Sequence, residues 1–203
     1  MDNRRATILF LSNSAITKPL FDRLQSDNEN IIHFESEITR DLIKNNHIYF
    51  IISYNYKTII QPAIVNLLPR KIINLHISYL PYNRGANPNI WSFIENTPCG
   101  VTIHEIDDGI DTGDILAQEK IDYDYEKETL ETAYRKSHEK IQKLFYKNWD
   151  KIKNNEITSQ KQARKGTFHS IRELDRYKDI IDYRDVIKVF LEKVDTKNKS
   201  RQK

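Results

Sequence analysis

Two stretches of this chain set side chains capable of chemistry at short, regular spacing. In KIINLHISYL, residues 71–80, Asn74 and His76 interrupt an apolar run two positions apart. In EIDDGIDTGD, residues 105–114, Asp107, Asp108, Asp111 and Asp114 crowd a segment that also holds Gly109 and Gly113. An amide donates hydrogen bonds and an imidazole exchanges a proton near neutral pH, so both are expensive to bury without a use. On a strand, positions i and i+2 share a face, which sets Asn74, His76 and Ser78 on one side and Ile73, Leu75 and Ile77 on the other. Either that polar face lines a crevice at a strand end, or it is the solvated face of an edge strand. The aspartates raise the idea of a calcium loop, but the EF-hand ligand positions fail in every register and the distant glutamate is missing, so no metal is assigned. A β-turn accounts for Asp108 and Gly109, whereas a second glycine and Asp111 exceed what a turn needs.

The elements that must hold these residues alternate. TILFL (7–11), IIHF (31–34), IYFII (48–52) and KIINLHI (71–77) read as strands. Between them Pro19 opens a helical segment, EITRDLIKNN forms a weaker helix, and Pro62 leads PAIVNLL. Strands separated by helices imply parallel crossovers and an α/β class, a Rossmann-like, mostly parallel sheet. The first strand is followed by LSNSAITKPL, which has no glycine and so lacks the dinucleotide fingerprint. Of five glycines, four (Gly85, Gly100, Gly109, Gly113) lie within residues 85–113, where GVTIHEI and DILAQEKI read as two further strands. His104 falls on the first of these, alternating with Thr102, and reads as structural. Residues 129–153 carry Leu130, Ala133, Tyr134, Ile141, Leu144, Phe145 and Ile152 at helical spacing, a core-packing helix. Beyond it KQARKGTFHSIRELDRY reads as irregular, and residues 180–194 as an amphipathic helix with Ile180, Ile187, Phe190, Leu191 and Val194 in one stripe. That stripe serves either its own domain or a homodimer interface. The expected division is a catalytic domain at 1–155 and a C-terminal extension at 156–203.

Composition limits the function classes. Charged residues make up 30% and hydrophobic ones 38%, a globular balance. A net charge of only +3 gives no electrostatic case for nucleic acid. No run is long enough to span a bilayer or serve as a signal segment, and the single Cys99 excludes an internal disulfide; a soluble, cytoplasmic protein without membrane partners is expected.

NLHISYLPYNRGANPNIW followed by GVTIHEIDDGIDTGDILAQEKI resembles the paired signature of the folate-dependent formyltransferases, the family of the glycinamide ribonucleotide and methionyl-tRNA enzymes. The features that carry the resemblance are Asn-x-His at a strand end, a Leu-Pro and Arg-Gly loop, and an Asp-Thr-Gly turn further on. The resemblance implies that Asn74, His76 and Asp111 form a catalytic trio. Asn74 and His76 would stabilise the oxyanion that develops as an amine attacks the formyl carbon of 10-formyltetrahydrofolate, and Asp111 would fix the imidazole and relay the amine proton. It also implies a donor pocket lined by main chain at Tyr56, Thr58 and Ile60 and at Ile106, Asp107, Asp108, Gly109 and Ile110. Arg84 and Gly85, with Ser78 and Tyr82, would lie near the substrates, Pro88 and Trp91 would serve the next helix, and Asn87 would cap it. The chain after the long helix is short beside the tRNA-docking domain of methionyl-tRNA formyltransferases. The glycine-rich phosphate loop of the purine enzyme and the N-terminal domain of formyltetrahydrofolate hydrolases are not seen. The wording is most similar to compact nucleotide-sugar N-formyltransferases of the pseudaminic acid type, which serve surface-polysaccharide biosynthesis. This implies a UDP-linked 4-amino-4,6-dideoxy sugar as acceptor, with Thr167, Phe168 and His169 walling its site. Two other readings stay open: an acceptor of another kind (a dTDP-sugar, methionyl-tRNA or a carrier-bound group), and a silent folate-binding module of the same fold.

Overall fold

A computed structural model describes residues 6–162 and 166–201 of the chain. The strands are β1 (Thr7–Leu11), β2 (Ile31–Phe34), β3 (Ile48–Ser53), β4 (Ile72–His76), β5 (Arg84–Gly85), β6 (Gly100–Glu105), β7 (Ile115–Lys120) and β8 (Phe168–His169). The helices are α1 (Lys18–Ser26), α2 (Arg40–Asn45), α3 (Pro62–Val65), α4 (Pro88–Ile94), α5 (Leu130–Lys153) and α6 (Ile187–Ser200). Six strands make one sheet in the order β2-β1-β3-β4-β6-β7, and β5 pairs with β8 in a second. The β1–β2, β1–β3 and β3–β4 pairings are all parallel. This is the expected α/β architecture.

The described residues fall into two compact units interleaved along the chain. The first takes in the chain up to His76, then Ile103–Ala117 and Gln142–Gln162. Its core is built by Leu9, Leu11, Ile38, Ile43, Ile48, Ile51, Ile64 and Ile72. Every residue of β1 is buried, which is why it reads as an unbroken apolar run rather than an alternating one. Thr39 Oγ1 accepts from Leu42 N–H at 3.1 Å and starts α2. The second unit takes in Ile77–Thr102, Gln118–Ile141 and the described residues after 162. There Ile90, Trp91, Phe93, Leu130, Ala133, Tyr177, Ile187, Phe190 and Val194 form a core.

Several expectations need correction. The amphipathic helix starts at Ile187, not near residue 180. Thr129 and Val186 form an antiparallel bridge, and Leu130 N–H and Ile187 N–H donate to Asp185 O and Glu128 O, so the backbone before Ile187 is committed to strand-like pairing. Ile180 and Leu191 nonetheless pack on the same core. The segment expected to be irregular holds β8 and a 3-10 helix at Ile171–Tyr177. Its signal was Ser170-x-x-Glu173, where Ser170 N–H donates to Glu173 Oε1 at 2.9 Å. Residues 163–165 of that segment lie outside the described residues. Asn87 stands at the cap position of α4, but its side chain makes no capping bond and its φ is 53°, a left-handed conformation that asparagine tolerates. Arg84 and Gly85 are a strand rather than a loop, in register with Phe168 and His169.

Candidate active site

β4 ends with Asn74 half-buried and His76 buried. β6 brings His104 to the same cluster, and the turn after it brings Asp111; all four belong to the first unit. Asn74 Nδ2 donates to Asp111 Oδ1 at 3.0 Å and lies 3.3 Å from His104 Nε2. Asp111 Oδ1 is 3.3 Å from His104 Nε2, and Asp111 Oδ2 is 3.6 Å from His76 Nδ1. The last distance is that of an ion pair, longer than a hydrogen bond. The side chains of His76, His104 and Asp111 are 7%, 1% and 12% exposed, so these interactions are weakly screened by solvent. The polar face of β4 is therefore not the solvated side of an edge strand: β4 lies inside the sheet between β3 and β6.

His104, read from the sequence as structural, stands in contact range of both Asn74 and Asp111. Its Nδ1 lies 2.7 Å from Glu105 O, and because a carbonyl only accepts, Nδ1 carries a proton. Nε2 of the neutral ring is then an acceptor facing the Asn74 amide, and Nε2–H of the charged ring is a donor facing Asp111. Either state leaves the cluster bonded. Alternation along one strand gave no signal for this, because lateral neighbours depend on strand order.

The aspartate loop shows why two glycines are needed. A Cβ on Gly109 would come within 2.1 Å of Thr112 Oγ1, and one on Gly113 within 1.8 Å of Glu105 O. Asp107 is turned inward on its own loop, its Oδ1 accepting from Gly109 N–H at 3.0 Å and Thr112 Oγ1 at 2.6 Å. Asp108 is exposed. Among the described residues no cluster of three or more His, Cys, Asp or Glu is placed to hold a metal ion.

Tyr56, Ile60 and Ile106, from two separate loops named for the donor pocket, pack on one hydrophobic cluster. Tyr56 Oη donates to Ser36 O at 2.6 Å, and burial pushes its phenol up. Thr58 is half-buried beside it. Ile59 and Ile110, on the same two loops, leave large apolar side chains 66% and 44% exposed. Such side chains cost free energy in water and suit an aromatic ring system laid against them. The first unit thus leaves two large apolar side chains exposed on the loops named for the donor pocket.

The remaining named residues belong to the second unit. Ser78 is fully buried, and its hydroxyl donates to Tyr82 O at 2.8 Å. Thr167 Oγ1 accepts from Asn83 N–H at 2.8 Å, and Arg84 N–H donates to Thr167 O at 3.0 Å. Gly85 has a φ of 87°, and a Cβ there would stand 2.3 Å from His169 O. His169 is buried, stacked on Trp91 with ring centres 3.8 Å apart and 7° between planes. Its two nitrogens each face a carboxylate at 3.1 Å, Glu95 and Glu173. Ser78 thus spends its hydroxyl on the Tyr82 carbonyl, and the His169 ring stands between Trp91 and two carboxylates. Phe168 is 49% exposed, and Tyr82 and Arg84 are half-buried.

Residues 11–148 match the family model described as formyl transferase. A dTDP-4-amino-4,6-dideoxyglucose formyltransferase of Mycobacterium bovis is 29% identical over 131 residues, 62% of this chain and 55% of that protein. A methionyl-tRNA formyltransferase of Solibacter usitatus is 41% identical over 81 residues, 39% of this chain and 26% of that protein. The chain thus spans about half the length, or less, of these curated relatives. Among solved structures, the formyltransferase PseJ from Anoxybacillus kamchatkensis is 38% identical with a TM-score of 0.84, covering 92% of this chain and 97% of that one. That protein was crystallised with UDP-4,6-dideoxy-4-formamido-L-AltNAc and tetrahydrofolate. The matched residues include Asn74, His76, His104 and Asp111, and this chain belongs to the formyl transferase family.

Proposed function

We propose that this protein moves the formyl group of 10-formyltetrahydrofolate to the amine of a nucleotide-linked amino-deoxy sugar, a UDP-4-amino-4,6-dideoxy sugar in particular. The observation that carries the reading is the buried Asn74–Asp111 hydrogen bond with His76 in ion-pair range of the same carboxylate. The likeness to a formyltransferase bound to a UDP-formamido sugar and tetrahydrofolate supports the choice of acceptor and donor.

In this reading the donor supplies an activated one-carbon unit, and the chain supplies charge and proton handling. The bond from the amine nitrogen to the formyl carbon forms, the bond from the folate nitrogen to that carbon breaks, and one proton passes from the amine to the departing nitrogen. Asn74 N–H and a protonated His76 donate to the formyl oxygen as it gains negative charge, where little water competes. Asp111 holds both donors in place and accepts the amine proton directly or through water. Ile59 and Ile110, with the main chain at 56–60 and 106–110, form the donor surface. Ser78, Tyr82, Arg84, Gly85, Thr167, Phe168 and His169, the residues the resemblance names for the acceptor, are assigned to it in this reading, Arg84 as a cation for its diphosphate.

The test is a transfer assay of the purified chain with 10-formyltetrahydrofolate and a panel of UDP- and dTDP-linked amino sugars, following tetrahydrofolate release and product mass. A product heavier by one formyl group on a UDP-4-amino sugar is the expected result. Transfer to a dTDP-sugar alone would change the acceptor. Donor binding with no transfer to any amine would instead favour a silent folate-binding module.

A further inference from the structure

The segment after α5 runs back along the aspartate turn. Ile115 and Gln160 form an antiparallel bridge, with N–H to O distances of 2.7 and 2.8 Å. Two residues later, Gln162 Nε2 donates to Asp111 O and Gly113 O, each at 2.8 Å. One side-chain amide therefore holds both ends of the turn that carries Asp111. The opposite side of the turn is tied to β6, where Glu105 N–H donates to Asp114 O at 2.9 Å. Asp111 itself sits at a φ of 52°, in the left-handed region that costs an L-residue free energy. Residues 107–110 leading into it are exposed. A left-handed aspartate after an exposed loop keeps one geometry only where its surroundings fix it.

We propose that Gln162 is a positioning residue for formyl transfer. By holding Asp111 O and Gly113 O it keeps the Asp111 carboxylate at its distances from Asn74, His104 and His76. This rests on the formyl-transfer reading above. The match to the family model ends at residue 148, so Gln162 comes from the chain beyond it. The segment after α5 thereby completes a site whose acting side chains all lie on earlier elements.

The experiment compares Gln162→Ala, Gln162→Lys and the wild-type full chain. Gln162→Ala removes both donors, and Gln162→Lys returns N–H donors on a side chain of sufficient reach. A displaced catalytic group costs turnover rather than binding, so kcat of Gln162→Ala falls roughly a hundredfold while KM for either substrate stays within about twofold. Gln162→Lys recovers part of kcat. Backbone amide exchange at Thr112, Gly113 and Asp114 reads the same effect without turnover and is faster in Gln162→Ala. Wild-type protein that transfers no formyl group would sink the functional reading alone, and faster exchange in Gln162→Ala would still support the clamp. Unchanged exchange overturns the proposal, as does unchanged kcat. A loss of kcat matched by a lowered melting temperature and raised KM values, and not relieved by Gln162→Lys, also overturns it.

Discussion

Asn74 and Asp111 stand 37 positions apart in the chain and are joined by one hydrogen bond, Nδ2 to Oδ1 at 3.0 Å. The bond exists because β4 and β6 are neighbours in the sheet and the turn after β6 folds the aspartate back to the end of β4. Asp111→Asn keeps the shape of the side chain and removes its charge. The expected outcome is a fall in turnover of roughly a hundredfold to a thousandfold with donor binding retained. Single-turnover transfer together with equilibrium binding of folate checks it, and a wild-type rate would remove Asp111 from the mechanism.

His104 offers a cleaner separation of shape from chemistry. His104→Phe fills the volume of the buried ring but neither receives the Asn74 amide nor faces Asp111 with a donor. Losing one partner from the cluster, with the Asn74–Asp111 bond kept, costs ~0.5–1.5 kcal/mol, which applied to the transition state lowers kcat roughly twofold to tenfold. A purely space-filling histidine would leave kcat as it was. Comparing kcat at matched circular dichroism spectra distinguishes the two.

The apolar loops make a prediction of the opposite kind. Ile59 is 66% exposed and lies away from the catalytic cluster in sequence. Burying such a side chain under a bound donor contributes ~1.5–3 kcal/mol, so Ile59→Ser raises KM for 10-formyltetrahydrofolate about tenfold or more and leaves kcat near wild type. A titration of tetrahydrofolate against both proteins measures it. Equal affinities would move the donor off this loop.

How much of this was legible in the sequence follows from the range of the forces involved. β1 is found at the residues read as a strand, because a buried parallel strand is a local apolar run, and β2, an edge strand with Ile31 buried and His33 exposed, is found where it was read too. Asn74, His76 and Asp111 were named from motif resemblance, and the structure brings the three side chains together. The place of His104 beside Asn74 and Asp111 was not legible because it comes from lateral neighbours. The start of α6 was misplaced because Val186 bridges to Thr129, a contact far along the chain that overrides helical spacing. Gly85 needed the carbonyl of His169 to explain it, and no spacing rule pairs those two residues.

His138 supplies the pH prediction. It lies on α5, 1% exposed, with its ring edge-on to Tyr134 at 4.3 Å, and burial pushes its imidazole down to about 4. The unfolded chain takes up a proton at His138 below its ordinary value near 6.5, whereas the folded chain does so only near 4. Within that window the unfolded state binds more protons, so stability rises with pH. The contribution is therefore fully present above about pH 6.5 and is lost progressively as pH falls towards 4, for a total on the order of 3 kcal/mol. His138→Phe keeps an aromatic ring against Tyr134 and removes the titration. Its urea midpoint is expected to change less than that of the wild type between pH 6.5 and 5, a range in which most carboxylates are still ionised. Parallel pH dependences for the two proteins would show that the His138 imidazole is protonated as readily in the folded chain as in the unfolded one, against its enclosure in the helix packing.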